Sequence, residues 1–413
     1  MSKKTNFRRV VSAAIAALLC VSLFSVMPAS AENSNTDTAV AADSNESKLF
    51  VKQKTYSEYY DEIADMARPA KEVEMKYVGA ENGAQADIGH YSGKDNVIVW
   101  SNEEGILNFE VDVPEDGAYS IEMGYIQIEG GTSVSEVSVL IDGISPYDSA
   151  ARVNVPRIWK GKTEIGTDSK GNDVRPVQVE DPMWTVTSFK DEDGLFNEPL
   201  LFALTAGKHT ISLESERAMF AIEYIKLFNQ GEYPKYEKPS SGDLSENAGA
   251  ETIKIQGEKY SYTNSQTLFP TYDRGNYLTE PSHPTKQRYN TVGDGTWDNS
   301  GQAITWDFKV DKPGYYKLNL KSRQNELRGL FSNRRIYIDG SVPSEPFAEV
   351  KFYYDDDWCS VVPEDENGDP AYVYLGAGDH TITLECIPGD IGESMRKLDA
   401  IVYEANQYYM EIL

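Results

Sequence analysis

The chain has 413 residues, of which 40% are apolar and 25% charged, with 66 Asp and Glu against 39 Lys and Arg. That mixture excludes wholesale disorder, the length exceeds what one hydrophobic core supports, and the formal charge of -27 repels nucleic acid and anionic lipid alike. Two domains and a neutral or cationic ligand are therefore expected.

Residues 1–31 read as a secretory signal peptide. Lys3, Lys4, Arg8 and Arg9 form a basic n-region, an apolar stretch runs from Val10 to about Val26, and Ala29-Ser30-Ala31 offers a small-residue cleavage site. An uncleaved membrane anchor is the competing reading, because the run approaches the ~18 residues that span a bilayer. Leu19 stands where a lipobox before Cys20 needs a small residue, which disfavours lipidation. Removing the segment leaves 35 basic and 66 acidic residues, a net charge of -31, and only Cys359 and Cys386 as cysteines. Their pairing is left open by the sequence. The expected location is extracellular, at the cell surface.

Residues 32–48 are small, polar and aperiodic, as in a flexible leader. A short helix is expected in "TYSEYYDEIADMARP", with Tyr59, Ile63 and Met66 on one face and Pro69 ending it. Strands follow. "ILNFEVDVPEDGAYSIEMGYIQI" alternates apolar and polar residues about a "PEDG" turn and reads as a hairpin. "VSEVSVLIDG" ends in an Asp-Gly turn, "LLFALTAGKHTISLES" reads as a hairpin about Ala206-Gly207, and "FAIEYIKLF" closes the unit.

A second unit repeats that order in "AITWDFKVDKPGYYKLNLKS", "RRIYIDG" and "YVYLGAGDHTITLEC". "AGKHTISLE" from Ala206 recurs as "AGDHTITLE" from Ala377, 171 residues on, whereas Asp142 and Asp339 are 197 apart. Such distances are those of duplicated domains, and the mismatch places about 26 extra residues in the first copy, within or near "NVPRIWKGKTEIGTDSKGNDVRPVQVEDPMW". The expected fold is all-β: two β-sandwich (jelly-roll) domains in tandem, at residues 49–229 and 251–393, with a linker at 230–250, a short N-terminal helix and a C-terminal helix at 394–413. Strand parity puts His209 and His380 on the faces of Ile211 and Ile382, so both are read as structural, held near the sandwich edge. At the end of the chain Met395, Leu398, Val402, Ala405, Tyr409 and Ile412 alternate spacings of three and four. That helical stripe implies a partner surface, either this protein's own body or a domain beyond Leu413.

"FEVDVPEDGAYSIEMGY", "VLIDG", "FALTAGKHTISLE" and "IEYIKL", with their second set, resemble the carbohydrate-binding modules of families 6 and 35, β-sandwiches of the galactose-binding-like type. The order of "YSEYYDEIADMARP", "RIWKGK", "GNDVRPVQVEDPMW", "TLFPTYDR", "KSRQNELRG" and the terminal helix, over residues 49–413, is similar to the N-terminal tandem region of large Firmicutes extracellular solute-binding proteins of sugar ABC transporters. In that family a two-lobed solute-binding domain follows, beyond the position of Leu413. The resemblance implies binding of an oligo- or polysaccharide, and a solute-binding domain or ABC permease as a partner reached through the C-terminal helix. Related modules hold a structural Ca²⁺ near the first strand, which here implies Glu72 and Glu74 in the first copy and Glu258 in the second. No other cofactor is implied.

Sugar recognition uses flat aromatic faces against a pyranose and planar polar groups that pair with vicinal hydroxyls. The long insertion of the first copy supplies both, in Trp159 and Trp184 with Asn172, Asp173 and Arg175 between them. The second copy offers Trp297, then Arg323, Gln324 and Asn325 in "KSRQN", and Trp358. A core or ion-pair role is the plainer alternative for each. "DENGDP" at Asp365 fails as an EF-hand because Pro370 and Gly376 replace the required Gly and Glu. The sequence lacks GxSxG, HExxH, P-loop and CxxC motifs, so the expectation is a non-catalytic carbohydrate-binding protein, with an assembly module as the second reading and an enzyme appendage as the third.

Overall fold

A computed structural model describes residues 54–129, 135–215, 217, 219–246, 252–276 and 278–412. The expected signal peptide and leader lie outside them. Chain order in the first half gives β1 (Lys76–Glu81), β2 (Ala86–Tyr91), β3 (Lys94–Trp100), β4 (Gly105–Val113), β5 (Gly117–Gln127), β6 (Ser135–Ile141) and β7 (Val153–Val155). It continues with β8 (Trp159–Gly161), β9 (Gln178–Glu180), β10 (Thr185–Ser188), β11 (Phe202–Leu204), β12 (Gly207–Ser215) and β13 (Phe220–Phe228). One layer runs β1–β4–β12–β6–β7 and the other β10–β5–β13–β3–β2, with β11 also on β5.

The alternation read in the sequence marks buried faces correctly, yet the two expected hairpins do not form. Leu107, Phe109 and Val111 of β4 meet Tyr119, Ile121 and Met123 of β5 in one core, so the two strands lie in opposite layers and the "PEDG" turn arches between them. β4 pairs instead with β12, and β5 with β13. Likewise β11 and β12 fall in different layers. Two apolar faces that must face each other cannot lie side by side in one sheet.

The expected helix is shorter than its apolar spacing suggests. It spans Tyr56–Glu62 behind a Thr55/Glu58 capping box, with Ile63 as its C-cap. Ile63 still packs with Ala118 and Leu201, next to Met66, as expected. The Tyr56 and Tyr59 hydroxyls accept the Leu201 and Ala203 N–H groups at 3.0 and 2.8 Å, which bolts the helix to the sandwich.

The second half contains β14 (Tyr262–Thr263), β15 (Pro270–Thr271), β16 (Thr291–Val292), β17 (Ala303–Val310), β18 (Gly314–Lys317), β19 (Leu320–Ser322) and β20 (Phe331–Ile338). β21 (Val350–Tyr353), β22 (Cys359–Val361), β23 (Tyr372–Leu375) and β24 (Gly378–Ile387) complete it. Its main sheet has the order β9–β8–β14–β17–β24–β20–β21. Facing it among the described residues are the separate pairs β18–β23 and β19–β22, and β15–β16 forms a further two-stranded pair. A second core, built on Ile304, Trp306, Ile336, Leu375 and Leu384, fills the space between.

The insertion of the first copy therefore supplies two strands to the second copy's sheet. β8 pairs with β9 over Trp159–Gly161, and Thr263 of β14 is the register partner of Trp159. The linker also packs down: Tyr233 and Tyr236 lie against the second core, and the Pro234 carbonyl accepts the Glu345 N–H at 3.0 Å. Among the described residues no strand of the second copy matches β13; the C-terminal helix, Ile391–Ile412, follows β24 instead.

The repeated nonapeptide has a shared local purpose. The Asp142 carboxylate accepts the Thr210 N–H at 2.8 Å and meets His209 Nδ1 at 2.7 Å, while His209 Nε2 faces the Thr205 carbonyl at 2.9 Å. The second copy repeats this with Asp339, Thr381 N–H at 2.8 Å, His380 Nδ1 at 2.6 Å and the Gly376 carbonyl at 3.0 Å. Asp142 and Asp339 have φ of 51° and 50° and are followed by glycines of positive φ, the backbone an Asp-Gly turn requires. Each histidine thus ties a turn to the start of a central strand, the structural role its parity implies. Cys359 and Cys386 are free thiols on strands of different layers, and Cys386 is buried.

Candidate functional site

The sequence-predicted sugar contacts separate into three groups. The first is consumed by the junction between the sandwiches. Asn172 Oδ1 accepts the Gln287 N–H at 3.1 Å, and Asp173 accepts Arg288 Nη1 at 2.8 Å and the Tyr289 N–H at 3.0 Å. The Arg175 guanidinium stacks 3.9 Å from the Phe269 ring centroid, and the Trp159 backbone sits in the ladder to β14. Asn172, Asp173 and Arg175 thus clamp the second copy through their side chains, and Trp159 joins it through its backbone. An irregular excursion of polar and glycine residues looks alike in sequence whether it meets solvent or another domain.

Trp184 forms the second group, on the outer face of the sheet containing β5, β13 and β3. Its ring covers Val97, Ile126 and Ala221 beside Tyr91, its Nε1 donates to the Ser92 carbonyl at 2.9 Å, and the Lys94 ammonium lies 4.5 Å from the ring centroid. Trp297 is also a wall residue. Its Nε1 donates to the Gln302 carbonyl at 3.1 Å, and the buried Arg334 stacks 4.6 Å from its ring while donating to the Trp297 carbonyl at 2.8 Å. Burial holds the Arg334 guanidinium below its ordinary value.

The third group gathers at the loop end of the second sandwich. Asp273 Oδ2 accepts both Trp358 Nε1 at 2.8 Å and Arg323 Nη1 at 2.9 Å, and the guanidinium lies 5.4 Å from the Trp358 ring centroid. Asp273 Oδ1 accepts the Gly275 N–H at 2.7 Å. Burial would push this carboxyl up, but the Trp358 indole, the Gly275 N–H and Arg323 outweigh it and hold Asp273 below its ordinary value. Trp358 itself is half-buried. Gln324 shapes its own turn, its Oε1 accepting the Glu326 and Leu327 N–H groups at 2.9 and 2.8 Å, and Asn325 is exposed at the tip. An indole keyed in one rotation beside a planar, always charged guanidinium is an arrangement that suits the apolar face and hydroxyl edge of a sugar ring. Sequence reasoning named Arg323 and Trp358 but missed Asp273, 50 and 85 residues away from them; its local signal was an Asp-x-Gly turn in "YDRG".

The implied calcium ligands do not assemble. Glu72 is paired with Lys226 Nζ at 3.0 Å, and Glu74 is exposed. Glu258 is buried, both its carboxylate oxygens lack a hydrogen-bond partner among the described residues, and burial pushes its carboxyl up. Among the described residues no group of three His, Cys, Asp or Glu side chains comes together to hold a metal. The orphaned Glu258 oxygens alone do not make a calcium site. A cavity of about 420 Å³, lined by Tyr236, Asp339, Tyr372 and Tyr374, lies elsewhere on the second sandwich, and none of the sequence-predicted sugar contacts lines it.

Fold and site together define a class: a tandem β-sandwich protein with an aromatic–guanidinium cluster among the loops of one sandwich. No family model matches the chain, and no curated protein matches it. Among solved structures it is similar to a family 35 carbohydrate-binding module from an environmental isolate, at 13% identity over 39% of this chain and 94% of that one, with a TM-score of 0.22. It is similar to the C-terminal family 6 module of LamC, a marine laminarinase from Zobellia galactanivorans, at 13% identity over 38% of this chain and 100% of that one, with a TM-score of 0.23. A family 35 module from Clostridium thermocellum gives 14% identity, 39% and 100% coverage and a TM-score of 0.22. Likeness at this level carries no argument about what this chain binds. Among the described residues no helix is long and apolar enough to cross a membrane.

Proposed function

We propose that the chain is a secreted, non-catalytic carbohydrate-binding protein that captures oligo- or polysaccharide at the cell surface in service of ABC-type sugar uptake. The observation that carries this reading is the Asp273 carboxylate holding the Trp358 indole and the Arg323 guanidinium side by side among exposed loops. The acidic charge agrees with a neutral ligand, and the sequence resemblance supports the extracellular setting. A shallow loop site gives a modest affinity, between about 1 mM and 1 μM, worth ~4 to 8 kcal/mol. A glycan array followed by calorimetry on the full chain tests it. Trp358→Ala is expected to abolish binding at millimolar ligand and to lower stability in urea by about 1 kcal/mol, through loss of the hydrogen bond to Asp273, with the chain still folded. Silence of the unaltered chain on plant, host and microbial glycans, or retention of binding in Trp358→Ala, would overturn the assignment.

A second reading is assembly onto a solute-binding domain or permease without sugar contact. The exposed Met395, Leu398, Val402 and Tyr409 on the C-terminal helix favour it, on a helix whose base is anchored by Arg396, which donates to the Leu195 carbonyl at 2.7 Å. Co-purification that survives excess glycan and is lost on deleting residues 395–413 would select this reading.

A further inference from the structure

The segment between β15 and β16, described over residues 272–276 and 278–290, is a long excursion closed at its base by two residues on each side. Asp273 lies one residue inside its start and Asn290 ends it. The two ends are stitched together: the Asp273 N–H donates to Asn290 Oδ1 at 2.9 Å, and Asn290 Nδ2 donates to the Asp273 carbonyl at 3.1 Å. The same Nδ2 reaches Thr279 Oγ1 at 3.1 Å and the Pro281 carbonyl at 3.0 Å, so one amide gathers three points of the loop. Among the described residues no strand ladder of the second sandwich includes residues 286–289, whose contacts on that side are the Lys286 N–H to His283 Nδ1 at 3.1 Å and the Tyr289 ring against Tyr272. The first sandwich holds them too. Besides the two bonds to Asp173, the Asp173 N–H donates to the Gln287 carbonyl at 3.0 Å, Arg288 Nη1 donates to the Gly171 carbonyl at 2.9 Å, and Lys286 Nζ donates to the Lys170 carbonyl. Asp173 is only 14% exposed and Arg288 25%, so this clamp is shielded from water.

From these contacts we infer that Asp173, a residue of the first sandwich, is a positioning residue for the Trp358–Arg323 cluster of the second. It fixes Arg288 and the Tyr289 N–H; the next residue, Asn290, fixes Asp273; and Asp273 sets the rotation of the Trp358 indole and the place of Arg323. A loop of this length has much backbone freedom to lose, at roughly 1–2 kcal/mol per ordered residue. The clamp removes that freedom before a ligand arrives, and pre-organisation of this kind appears as affinity. The binding loop of one sandwich is in this sense completed by the other.

The inference rests on the carbohydrate reading for its affinity readout, and the test adds a readout that does not. In the full chain labelled with ¹⁵N-Trp, the Trp358 indole signal is assigned by its loss in Trp358→Phe, and its hydrogen exchange is compared with that of Trp184, which donates within the first sandwich. Asp173→Ala is expected to speed exchange at Trp358 by roughly tenfold and leave Trp184 unchanged. Binding of the strongest array ligand should weaken about threefold to tenfold. Asp173→Asn keeps an acceptor for the Tyr289 N–H and should restore most of the protection. If Asp173→Ala does not fold, Arg288→Ala replaces it, removing half of the clamp while β8 and β9 stay paired. Unchanged exchange at Trp358, or equal acceleration at Trp184, overturns the inference. If the Trp358 signal responds and no glycan binds the unaltered chain, the positioning role stands and the carbohydrate reading falls.

Discussion

The two sandwiches arise from the same strand order but reach completeness differently. The first closes both layers with its own strands, and its core holds Trp100, Phe109, Tyr119, Tyr125 and Phe220 fully out of water. The second has a main sheet in which two strands are borrowed and an opposing layer broken into two-stranded pieces. Buried charge occurs in both, with Arg157 and Asp191 in the first half of the chain and Glu258, Arg334, Arg335 and Glu385 in the second. A duplicated domain that loses its last strand and part of its facing layer can persist when its neighbour supplies the missing edge, and polar groups that would be exposed alone become buried between the two.

The largest expected effect comes from breaking that union. Glu385 on β24 is buried, takes the Tyr337 hydroxyl at 2.6 Å, and pairs with Lys190 of the first sandwich. Despite burial, Lys190 and Tyr337 hold its carboxyl below its ordinary value. Glu385→Ala leaves these groups unpaired, so a loss of about 3 kcal/mol or more is expected. Urea unfolding followed by fluorescence should show the second sandwich melting before the first. A single unchanged transition would mean that the junction contributes nothing.

A smaller effect should appear at the shared His-Asp turn. His380→Ala is expected to cost about 1 kcal/mol, with the half-exposed Asp339 limiting the ionic part. The hydrogen bond to Asp339 raises the His380 value above 6.5. Its charged-state contribution is therefore complete below pH 6.5 and is lost as pH rises through the folded value. Thermal midpoints of the variant and the unaltered chain should converge on raising the pH from 6 to 9; parallel curves would contradict the pairing.

The mildest test compares Glu258 with its counterparts in the first copy. Because burial raises its value above 4.5, ionising it in the folded chain is unfavourable, and stability falls as pH rises from 4.5 through the folded value. Glu258→Gln should therefore raise the urea midpoint at pH 7 and leave it unchanged at pH 4, whereas Glu72→Gln, at an exposed pair, should change it by under about 1 kcal/mol. A Glu258→Gln chain that is less stable at pH 7, with the loss matched by chelator treatment, would instead indicate a bound cation.

Strand faces, Asp-Gly turns and the duplication were legible because they depend on neighbours two residues apart or on literal repetition. Layer membership was not: alternation says which face of β4 or β11 is buried, but nothing about whether the next strand lies beside it or opposite. The insertion was located by counting, yet its partner β14 begins about 100 residues later, and strands of three residues such as Trp159–Gly161 have no period to detect. The candidate site was half visible. Arg323 and Trp358 were recognisable by type, while Asp273 acquires its role only through folding.

The borrowed strands also bear on how this protein can be handled. A chain starting at the linker would leave the rim of β14 without β8, presenting unpaired amides in a row to any extended segment nearby. Such a fragment would be sticky for reasons unrelated to its ligand. The second sandwich can be cut out whole only together with the first, which carries β8 and β9.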